Sequence, residues 1–474
     1  MRVLVRGGTI VSSNGMYTAD VVCDDGVITA VSAPGRWGDI DETVDASGAL
    51  VFPGFIDPHV HSRDPGLTHK EDFEHSTAAA AVGGVTTILE MPNVVPPLSD
   101  LETFRQRAAY FEQHAHVDFG LWGMSLGSAN LDALASLIAE GVAGIKLFWG
   151  YALDRKTSEL VYNVEDRLPE DLVLPPGNGD VLELFKAVAI AGGLLAAHCE
   201  DREVNMASAR AIEGRMAAYD DLLESRPEVA EAAAIAVGVE FARFTSCRFH
   251  VVHVSSARGL ELIRQARAAG LRVTAETCPQ YLTLTDESFA TTPSMKVYPP
   301  IRRRQDRDAL WGGLVDGTID SIGSDHAPHT VEEKQQPLAT QPAGAVGVET
   351  MARIMITEAR RRDLPMERIA WLLSEGTARI YGLYPRKGEI RPGADADMTL
   401  VDPEREWVIR NRELHSLHPV SPWDGVSGTG APVRTLVRGK TVMVDGELVG
   451  EPGWGRLVRS ARDRVNGAIT VGSR

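Results

Sequence analysis

The chain has 474 residues, 44% of them hydrophobic and 24% charged, which is typical of a globular protein with one large domain and a smaller one. Its 48 basic and 65 acidic side chains give a formal net charge of −17, and such an acidic surface argues against nucleic acid and anionic membranes as partners. Four separated cysteines, no apolar run long enough to span a bilayer and no signal-peptide pattern predict a cytoplasmic protein.

Both ends of the chain have the pattern of short β-strands separated by Gly and Asp-Gly turns. Residues 1–51 include RVLVRGGTIVS and ADVVCDDGVITAVS, and residues 386–450 include VRTLVRGKTVMVDGELV. We interpret these two segments as halves of one small, β-sandwich-like domain. The last stretch, residues 451–474, is predicted to be an exposed tail or an intersubunit arm.

Residues 52–385 contain eight short apolar strands, each followed by a segment with helical spacing. In chain order the strands are FIDPHVH, VTTILEMP, VDFGLWGM, AGIKLFW, GLLAAHCE, RFHVVHVS, RVTAETCP and DSIGSDHA. Intervening segments such as ARGLELIRQARAAG are rich in alanine and leucine at helical spacing. Eight strand–helix units predict an α/β fold, a (β/α)8 TIM barrel whose strands run parallel.

The connection after the fourth barrel strand is unusually long. Residues 151–180 are polar and rich in proline, and such a length is uncommon for a loop between a strand and a helix. Two interpretations stay open. The segment is either a surface insertion or a loop that overhangs the mouth of the pocket, because barrel active sites are built from these loops.

Reactive side chains collect at the carboxyl-terminal ends of five of these strands. They are His59 and His61 on the first strand, Lys146 on the fourth, His198 on the fifth, His253 on the sixth and Asp325 on the eighth. Residues i and i+2 of a strand share a face, so both histidines of HVH point the same way. Taken singly, a strand-end histidine is more often a core residue, and Asp325 suits a helix N-cap. Their convergence predicts a metal site, and imidazole with carboxylate suits zinc.

Lys146 needs a chemical explanation among these residues, because an ammonium group cannot bind a cation. A buried lysine with a lowered pKa becomes a nucleophilic amine. Such an amine can take up CO₂ as a carbamate, which presents two oxygens to two metals. The simpler alternatives are a side chain that extends to solvent and an ion-pair partner.

The motifs that carry these residues resemble those of the cyclic amidohydrolases, the family of dihydroorotases, hydantoinases, dihydropyrimidinases and allantoinases. They are DPHVHSRDPG, GGVTTILEMPN, GIKLFW, AAHCED, VVHVSS, ETCPQYL and GSDHAPH. The resemblance covers nearly the whole chain. It implies two zinc-type ions bridged by a carboxylated lysine. Matched motif by motif, His59, His61 and Asp325 would bind one ion, His198 and His253 the other, and Lys146 would bridge them.

Such a centre is expected to hydrolyse a cyclic amide. Two metals a few ångströms apart hold one hydroxide between them and lower the pKa of its parent water. The hydroxide attacks an amide carbonyl, and a metal stabilises the developing oxyanion. Asp325 would take the proton from the hydroxide and pass it to the leaving nitrogen. The ring would open to an N-carbamoyl or similar product.

Three further residues are expected to contact the substrate. Arg63 and Asn93 match the positions that hold a substrate carboxylate in dihydroorotases, and Arg offers a bidentate fork for a carboxylate. Tyr151 matches the oxyanion-binding tyrosine of hydantoinases and dihydropyrimidinases. The structural alternatives are an ion pair of Arg63 with Asp64 or Glu71, and an aromatic residue at a loop base for Tyr151.

The substrate-side motifs form a mosaic. The segment SDHAPHTVEEK resembles dihydroorotases, whereas ETCPQYL and SLHPVSPWDGVSGTGAPV resemble hydantoinases and allantoinases. Tyr298 stands where dihydroorotases commonly have Asn, which weakens that assignment. The exact ring stays open.

A role outside catalysis is the remaining alternative. Some relatives with this fold have lost their metal ligands and serve in assembly, whereas this chain keeps all six ligand residues. We therefore expect an enzyme, acting on a small cyclic amide, that forms a homodimer or homotetramer.

Overall fold

The computed structural model describes residues 1–162, 168–212 and 214–461 of the chain. Residues 163–167 of the long predicted loop and 462–474 of the predicted tail lie outside the described residues. Within the described part, no helix is long and apolar enough to cross a membrane.

The strands fall into a barrel, a large sheet and a small sheet. They are β1 Arg2–Ser12, β2 Gly15–Asp24, β3 Val27–Ser32, β4 Glu42–Asp45, β5 Leu50–Pro53, β6 Phe55–Val60, β7 Val85–Glu90, β8 Asp118–Leu121, β9 Gly123–Met124, β10 Ile145–Trp149, β11 Ala152–Asp154, β12 Leu160–Val161, β13 Leu172–Val173, β14 Leu194–Cys199, β15 Arg248–Val251, β16 Val273–Thr277, β17 Ser321–Ile322, β18 Met398–Val408, β19 Ser427–Val437, β20 Lys440–Val444 and β21 Glu447–Leu448.

The helices lie mainly between the barrel strands. They are α1 Phe73–Val82, α2 Leu101–Phe111, α3 Leu131–Glu140, α4 Asn178–Ile190, α5 Arg202–Ile212, α6 Tyr219–Ser225, α7 Glu228–Thr245, α8 Ala257–Ala268, α9 Pro279–Thr283, α10 Arg304–Asp316, α11 Val331–Lys334, α12 Met351–Arg361, α13 Met366–Ala370 and α14 Gly376–Ile380. Several begin at a side-chain cap: Asp72, Asp100 and Ser256 accept hydrogen bonds from the backbone N–H three residues later.

Eight parallel strands close into the barrel. Strands β6, β7 and β8 pair in parallel, and so do β9, β10, β14, β15, β16 and β17. Trp122 alone separates β8 from β9, so these two form one interrupted strand. A parallel bridge between Val60 and His326 joins the last strand to the first. The predicted (β/α)8 barrel is confirmed.

Both ends of the chain form one sheet beside the barrel. Its order is β21-β20-β19-β18-β5-β1-β2-β3, with β4 paired to β1. The ends meet where Leu50–Pro53 pairs antiparallel with Met398–Val401. Side chains from both ends, including Val5, Val21 and Leu436, form a hydrophobic cluster of their own. The small β-sandwich-like unit of the predicted fold is therefore present, and we propose that it comprises residues 1–51 and 386–450, with the barrel between them.

A buried ionic cluster joins this unit to the barrel. Lys387 Nζ lies 2.8 Å from an oxygen of Asp118 on β8, 3.1 Å from Asp395 and in contact with Asp397. Arg438 also contacts Asp118. Lys387 is 2% exposed, so its charge is balanced by carboxylates and not by water.

The segment after residue 451 is not an exposed tail as far as it is described. Leu457 forms a parallel bridge with Phe119, and Val458 N donates to Phe119 O at 2.7 Å. Ser460 N and Ala461 N donate to backbone carbonyls of Gly141 and Gly382. The chain from Gly455 to Ala461 therefore lies against the barrel, because β8 offers it unpaired backbone groups.

The long connection after β10 contains a small antiparallel sheet. Its strands pair in the order β12-β11-β13. Leu153, Leu160 and Tyr162 pack against Phe148 and Tyr151 at the end of β10. The insertion is thus attached to the barrel end where the reactive side chains collect.

Candidate metal centre

The barrel brings the six predicted ligand residues to one end of its interior. His59 and Lys146 lie within β6 and β10, and His198 lies within β14. His61, His253 and Asp325 follow β6, β15 and β17 by one to three residues. All six side chains are buried.

Three of them form a compact group. The Nε2 atoms of His59 and His61 each lie 3.4 Å from Asp325 Oδ1. One ligand atom from each residue lies within 4.8 Å of the others, which is the spacing of groups that share one metal ion. Asp325 caps no helix, because the following helix α11 begins at Val331 and Thr330 is its N-cap, so the N-cap alternative fails.

The other two histidines form a second pair next to this group. His198 Nδ1 lies 3.0 Å from His253 Nε2, and the two ring centroids are 4.8 Å apart. His253 also stands beside His59, with ring centroids 5.4 Å apart. The five residues thus divide into a set of three and a set of two that lie in contact.

Oxygen acceptors set the protonation of three of the rings. His59 Nδ1 faces Glu276 Oε1 at 2.8 Å, and His61 Nδ1 faces Asn93 Oδ1 at 2.7 Å. His198 Nε2 faces Glu200 Oε2 at 2.9 Å. Each ring therefore donates one N–H outward and turns the lone pair of its other nitrogen toward the shared space, as metal-binding histidines do.

Burial keeps the imidazoles neutral. It lowers the pKa of His61 and His198, and it lowers the pKa of His59 and His253 well below the usual value. Burial acts to raise the pKa of Asp325, but the adjacent His59 and His61 rings bring it below that of an ordinary aspartate. Neutral imidazoles beside an ionised carboxylate form a donor set that suits zinc.

Lys146 is fully buried in the same space. Its Nζ has no hydrogen-bond partner among the described residues. Burial lowers its pKa to about 8, although Glu276 and Asp325 act in the opposite direction. An amine in such a place is reactive, because the lowered pKa makes its uncharged form accessible near neutral pH.

The backbone is strained at three residues of this region. Arg63, His253 and Asp325 have φ angles of 63°, 40° and 48°, in the left-handed region that side chains with a Cβ rarely adopt. Such conformations persist where the surrounding structure holds them, and they concentrate at functional sites.

Arg63 lies beside His61, buried to 6% exposure. Its Nε donates to Pro328 O at 3.1 Å, and its Nη2 lies 3.4 Å from His329 Nε2, a nitrogen that also faces Ala343 O at 3.0 Å. It forms no ion pair with any described residue. The predicted alternative fails, since Asp64 accepts from Tyr110 and Phe73, and Glu71 accepts from backbone N–H groups.

The other two predicted substrate contacts already have partners in the centre. Asn93 uses its carbonyl oxygen to hold the His61 ring. The Tyr151 ring packs against His198 with ring centroids 4.5 Å apart, and its hydroxyl donates to Glu200 Oε2 at 3.4 Å. The Tyr151 ring therefore belongs to the wall of the centre and is not simply an aromatic at the base of a loop.

Sequence reasoning assigned no role to two buried glutamates, Glu200 and Glu276, or to Arg226. A signal was available for both acids. Glu200 stands two residues after His198 and so shares its direction, and Glu276 lies within a predicted barrel strand, where a buried carboxylate is rare. Arg226, whose Nη1 contacts Glu200 at 2.5 Å, follows a helix far along the chain and gave no local signal.

Comparisons with known proteins identify the family of this chain. A family model described as the amidohydrolase family matches residues 50–442. An allantoinase of Rubrobacter xylanophilus is 39% identical over 466 residues, which are 97% of this chain and 98% of that protein. An L-hydantoinase of Paenarthrobacter aurescens is 35% identical, over 96% of this chain and 97% of its own length.

Solved structures are similar over the same extent. An L-hydantoinase (dihydropyrimidinase) from Arthrobacter aurescens superposes with a TM-score of 0.90 at 33% identity, covering 96% of this chain and 99% of the other. The dihydropyrimidinase of Brevibacillus agri gives a TM-score of 0.87 at 28% identity, covering 97% and 99%.

Proposed function

This chain belongs to the amidohydrolase family, and on that premise we propose that it is a metal-dependent hydrolase that opens the ring of a cyclic amide or ureide. The relatives named allantoinase and hydantoinase support this reaction class. The observation that carries the proposal is a fully buried Lys146 amine that has no hydrogen-bond partner among the described residues and lies among four neutral imidazoles and Asp325. A role in assembly alone would not require these six residues to converge.

The ligand residues fit two metal positions. His59, His61 and Asp325 would hold one ion, and His198 and His253 would hold the other. When bound, two divalent ions, which we propose are zinc, would polarise the substrate carbonyl and lower the pKa of water. The outward N–H groups of His59, His61 and His198 keep their inward nitrogens free for that role.

Lys146 would bridge the two positions as a carbamate. Its neutral amine would add to the carbon of CO₂, one C=O electron pair would move to oxygen, and Nζ would release one proton to water. The product carries a negative charge where the amine had none, so it supplies an anionic bridge. The pKa of about 8 supports this step, because the uncharged amine is accessible near neutral pH.

Asp325 would move the proton that the reaction requires. It would accept a proton as water adds to the carbonyl carbon, and return it to the ring nitrogen as the carbon–nitrogen bond breaks. Its lowered pKa supports the role of a base, since the carboxylate is ionised at neutral pH.

Arg63 and Tyr151 would select and orient the ring. The Arg63 guanidinium contacts Pro328 O and His329 but no carboxylate of a described residue, so it can receive a carboxylate on the substrate. Tyr151 donates only a 3.4 Å hydrogen bond to Glu200 and can turn toward a developing oxyanion. Asn93 would contact the ring through its amide nitrogen. The relatives' names favour a five-membered ureide such as a hydantoin or allantoin, and Arg63 favours an acidic ring such as dihydroorotate as the second candidate.

We further propose a cytoplasmic homodimer or homotetramer. The four cysteines are unpaired and buried, which supports a reducing compartment. Light scattering coupled to size-exclusion chromatography measures the assembly state directly.

A turnover panel tests the reaction class. The purified protein, loaded with zinc in bicarbonate, is incubated with allantoin, hydantoin, 5-substituted hydantoins, dihydrouracil, dihydroorotate and a simple cyclic imide. We expect ring opening of at least one of them, abolished by a chelator and restored by zinc. A zinc-loaded protein that opens none of these rings would contradict the proposal.

A further inference from the structure

Two buried glutamates contact the candidate metal ligands, one in each set. Glu276 Oε1 lies 2.8 Å from His59 Nδ1, and Glu200 Oε2 lies 2.9 Å from His198 Nε2. Both glutamates are fully buried. A carboxylate in this place withdraws the ring proton and makes the ligating nitrogen more basic, which strengthens metal binding.

The two glutamates differ in the charge that surrounds them. Glu200 Oε2 also contacts Arg226 Nη1 at 2.5 Å, and the Arg226 guanidinium is stacked 3.7 Å from the ring centroid of Tyr298. A backbone contact holds this arginine as well, since Arg302 Nη1 donates to Arg226 O at 3.1 Å. The negative charge of Glu200 is therefore largely neutralised by a fixed cation.

Glu276 has no such cation. Its second oxygen faces the Tyr381 hydroxyl at 3.3 Å and His250 Nε2 at 3.8 Å, and in the described part of the chain no Lys or Arg nitrogen lies within 4.0 Å of it. Lys146 is the nearby lysine that acts on it electrostatically, and the proposed carbamate would remove that positive charge. The negative charge of Glu276 therefore acts on the His59 ring with little opposition from a neighbouring cation.

The side chains that would bind the metals directly also differ in charge, and in the same direction. The set of three includes Asp325, a carboxylate, whereas the set of two consists of the neutral rings of His198 and His253. A cation at the first set would therefore lie near two negative charges, those of Asp325 and Glu276. A cation at the second set would lie near the single charge of Glu200, which Arg226 already balances.

We infer that the two positions bind metal with unequal affinity: the position of His59, His61 and Asp325 retains its ion, and the position of His198 and His253 releases its ion first. Glu276 and the Glu200–Arg226 pair are the positioning residues that set this difference. The inference rests on the proposed metal-dependent function.

Metal content during removal tests it. The zinc-loaded protein is dialysed against increasing concentrations of a chelator, and zinc per chain is measured by mass spectrometry at each step. We expect two steps with a plateau near one zinc per chain. Loss of all zinc in a single step would overturn the inference, while ring-opening activity of the zinc-loaded protein would leave the proposed function intact.

Single substitutions assign the steps. Glu276→Gln should weaken the retained zinc by about tenfold to a hundredfold, and Glu200→Gln should weaken the other zinc by a similar factor. Glu349→Gln is the matched control, because Glu349 is a buried glutamate that pairs with His415 outside the candidate centre. Its two steps should match those of the parent protein. A Glu200→Gln protein that loses the retained zinc first would contradict the assignment.

Arg226→Gln tests the charge argument with the opposite sign. Glutamine keeps a hydrogen-bond donor for Glu200 and removes the positive charge, so the easily released zinc should bind more tightly, by about tenfold. General damage to the site would weaken binding, so a tighter second step identifies the charge as the cause. A weaker second step in Arg226→Gln would refute this part of the inference.

Discussion

Among single residues, Lys146 is the one on which the proposed centre depends most. Replacing it with alanine removes the amine that would carry the bridging carbamate, so Lys146→Ala should lose most bound zinc and at least a hundredfold in turnover. A short-chain carboxylic acid in the medium should restore part of the activity by supplying the missing carboxylate. Exposed Lys186→Ala is the control. Unchanged zinc content in Lys146→Ala would rule out the carbamate.

Asp325 separates metal binding from proton transfer. Asp325→Asn keeps an oxygen that can bind metal but removes the base, so zinc should be largely retained while kcat falls roughly a hundredfold or more. Zinc content and kcat are measured on the same preparation. If kcat changed by less than threefold with zinc retained, the proton would have to travel through another residue.

Arg63 decides whether the substrate is acidic. A charged hydrogen bond left without its partner costs about 1.5–3 kcal/mol, so Arg63→Ala should lower kcat/KM for dihydroorotate by about tenfold to a hundredfold. For neutral dihydrouracil the change should be small, and comparing both rings in both proteins cancels general damage. Equal losses would show that Arg63 has a structural role and would favour neutral rings.

The sequence predicts positions at strand ends better than it predicts partners across strands. His59, His61 and Lys146 are recognisable because each lies within or directly after an apolar strand pattern. Their partners come from other segments of the chain. Glu276 lies 217 residues from His59, and Arg226 lies 26 residues from Glu200. Such contacts depend on barrel register and loop packing, which no local pattern encodes.

At the scale of elements, the segment after residue 451 is expected to be structural. Val458 is 2% exposed and packs with Trp122 and Leu194, and the backbone of this segment pairs with β8. Deleting residues 452–474 should lower the free energy of unfolding, because it removes the buried Val458 side chain. The burial of that side chain alone contributes about 1.5–3 kcal/mol.

A shorter deletion is the matched control for that experiment. Removing residues 462–474 keeps the pairing of Leu457 and Val458 with β8, so the longer deletion should lower the melting temperature further than this one does. Thermal unfolding of both truncated proteins beside the parent protein checks the prediction. Equal melting temperatures for all three would show that the segment contributes little.

The length of an element decides whether its sequence pattern can be recognised. Apart from β9 and β17, which have two residues each, the barrel strands are four to six residues long and mostly apolar, so their pattern stands out. Strands β11, β12 and β13 have two or three residues each, too few for any periodicity. The sequence therefore predicts a loop where the structure has a small sheet, which is stabilised by its tertiary contacts.

For the whole molecule, Lys387 is the residue expected to hold the sheet against the barrel. Lys387→Met would leave Asp118, Asp395 and Asp397 without this counter-charge, and breaking a buried pair costs about 3–5 kcal/mol. Denaturant unfolding measures the loss. The control is Lys186→Met, which breaks the exposed pair with Glu183 and should cost less than about 1 kcal/mol. Similar losses in both variants would contradict the assigned role.

The composite sheet has a consequence for how the chain is made. Its two halves are joined where β5 pairs with β18, for example Val51 with Leu400, which lie about 350 positions apart in the chain. At typical rates of translation the first strands leave the ribosome roughly 20 to 70 seconds before their partners are synthesised. During that interval the free side of β5 is an open edge that can pair with a neighbouring nascent chain. The yield of native protein in a cell should therefore depend on the rate of synthesis and on the supply of chaperones, and not only on the stability of the folded protein.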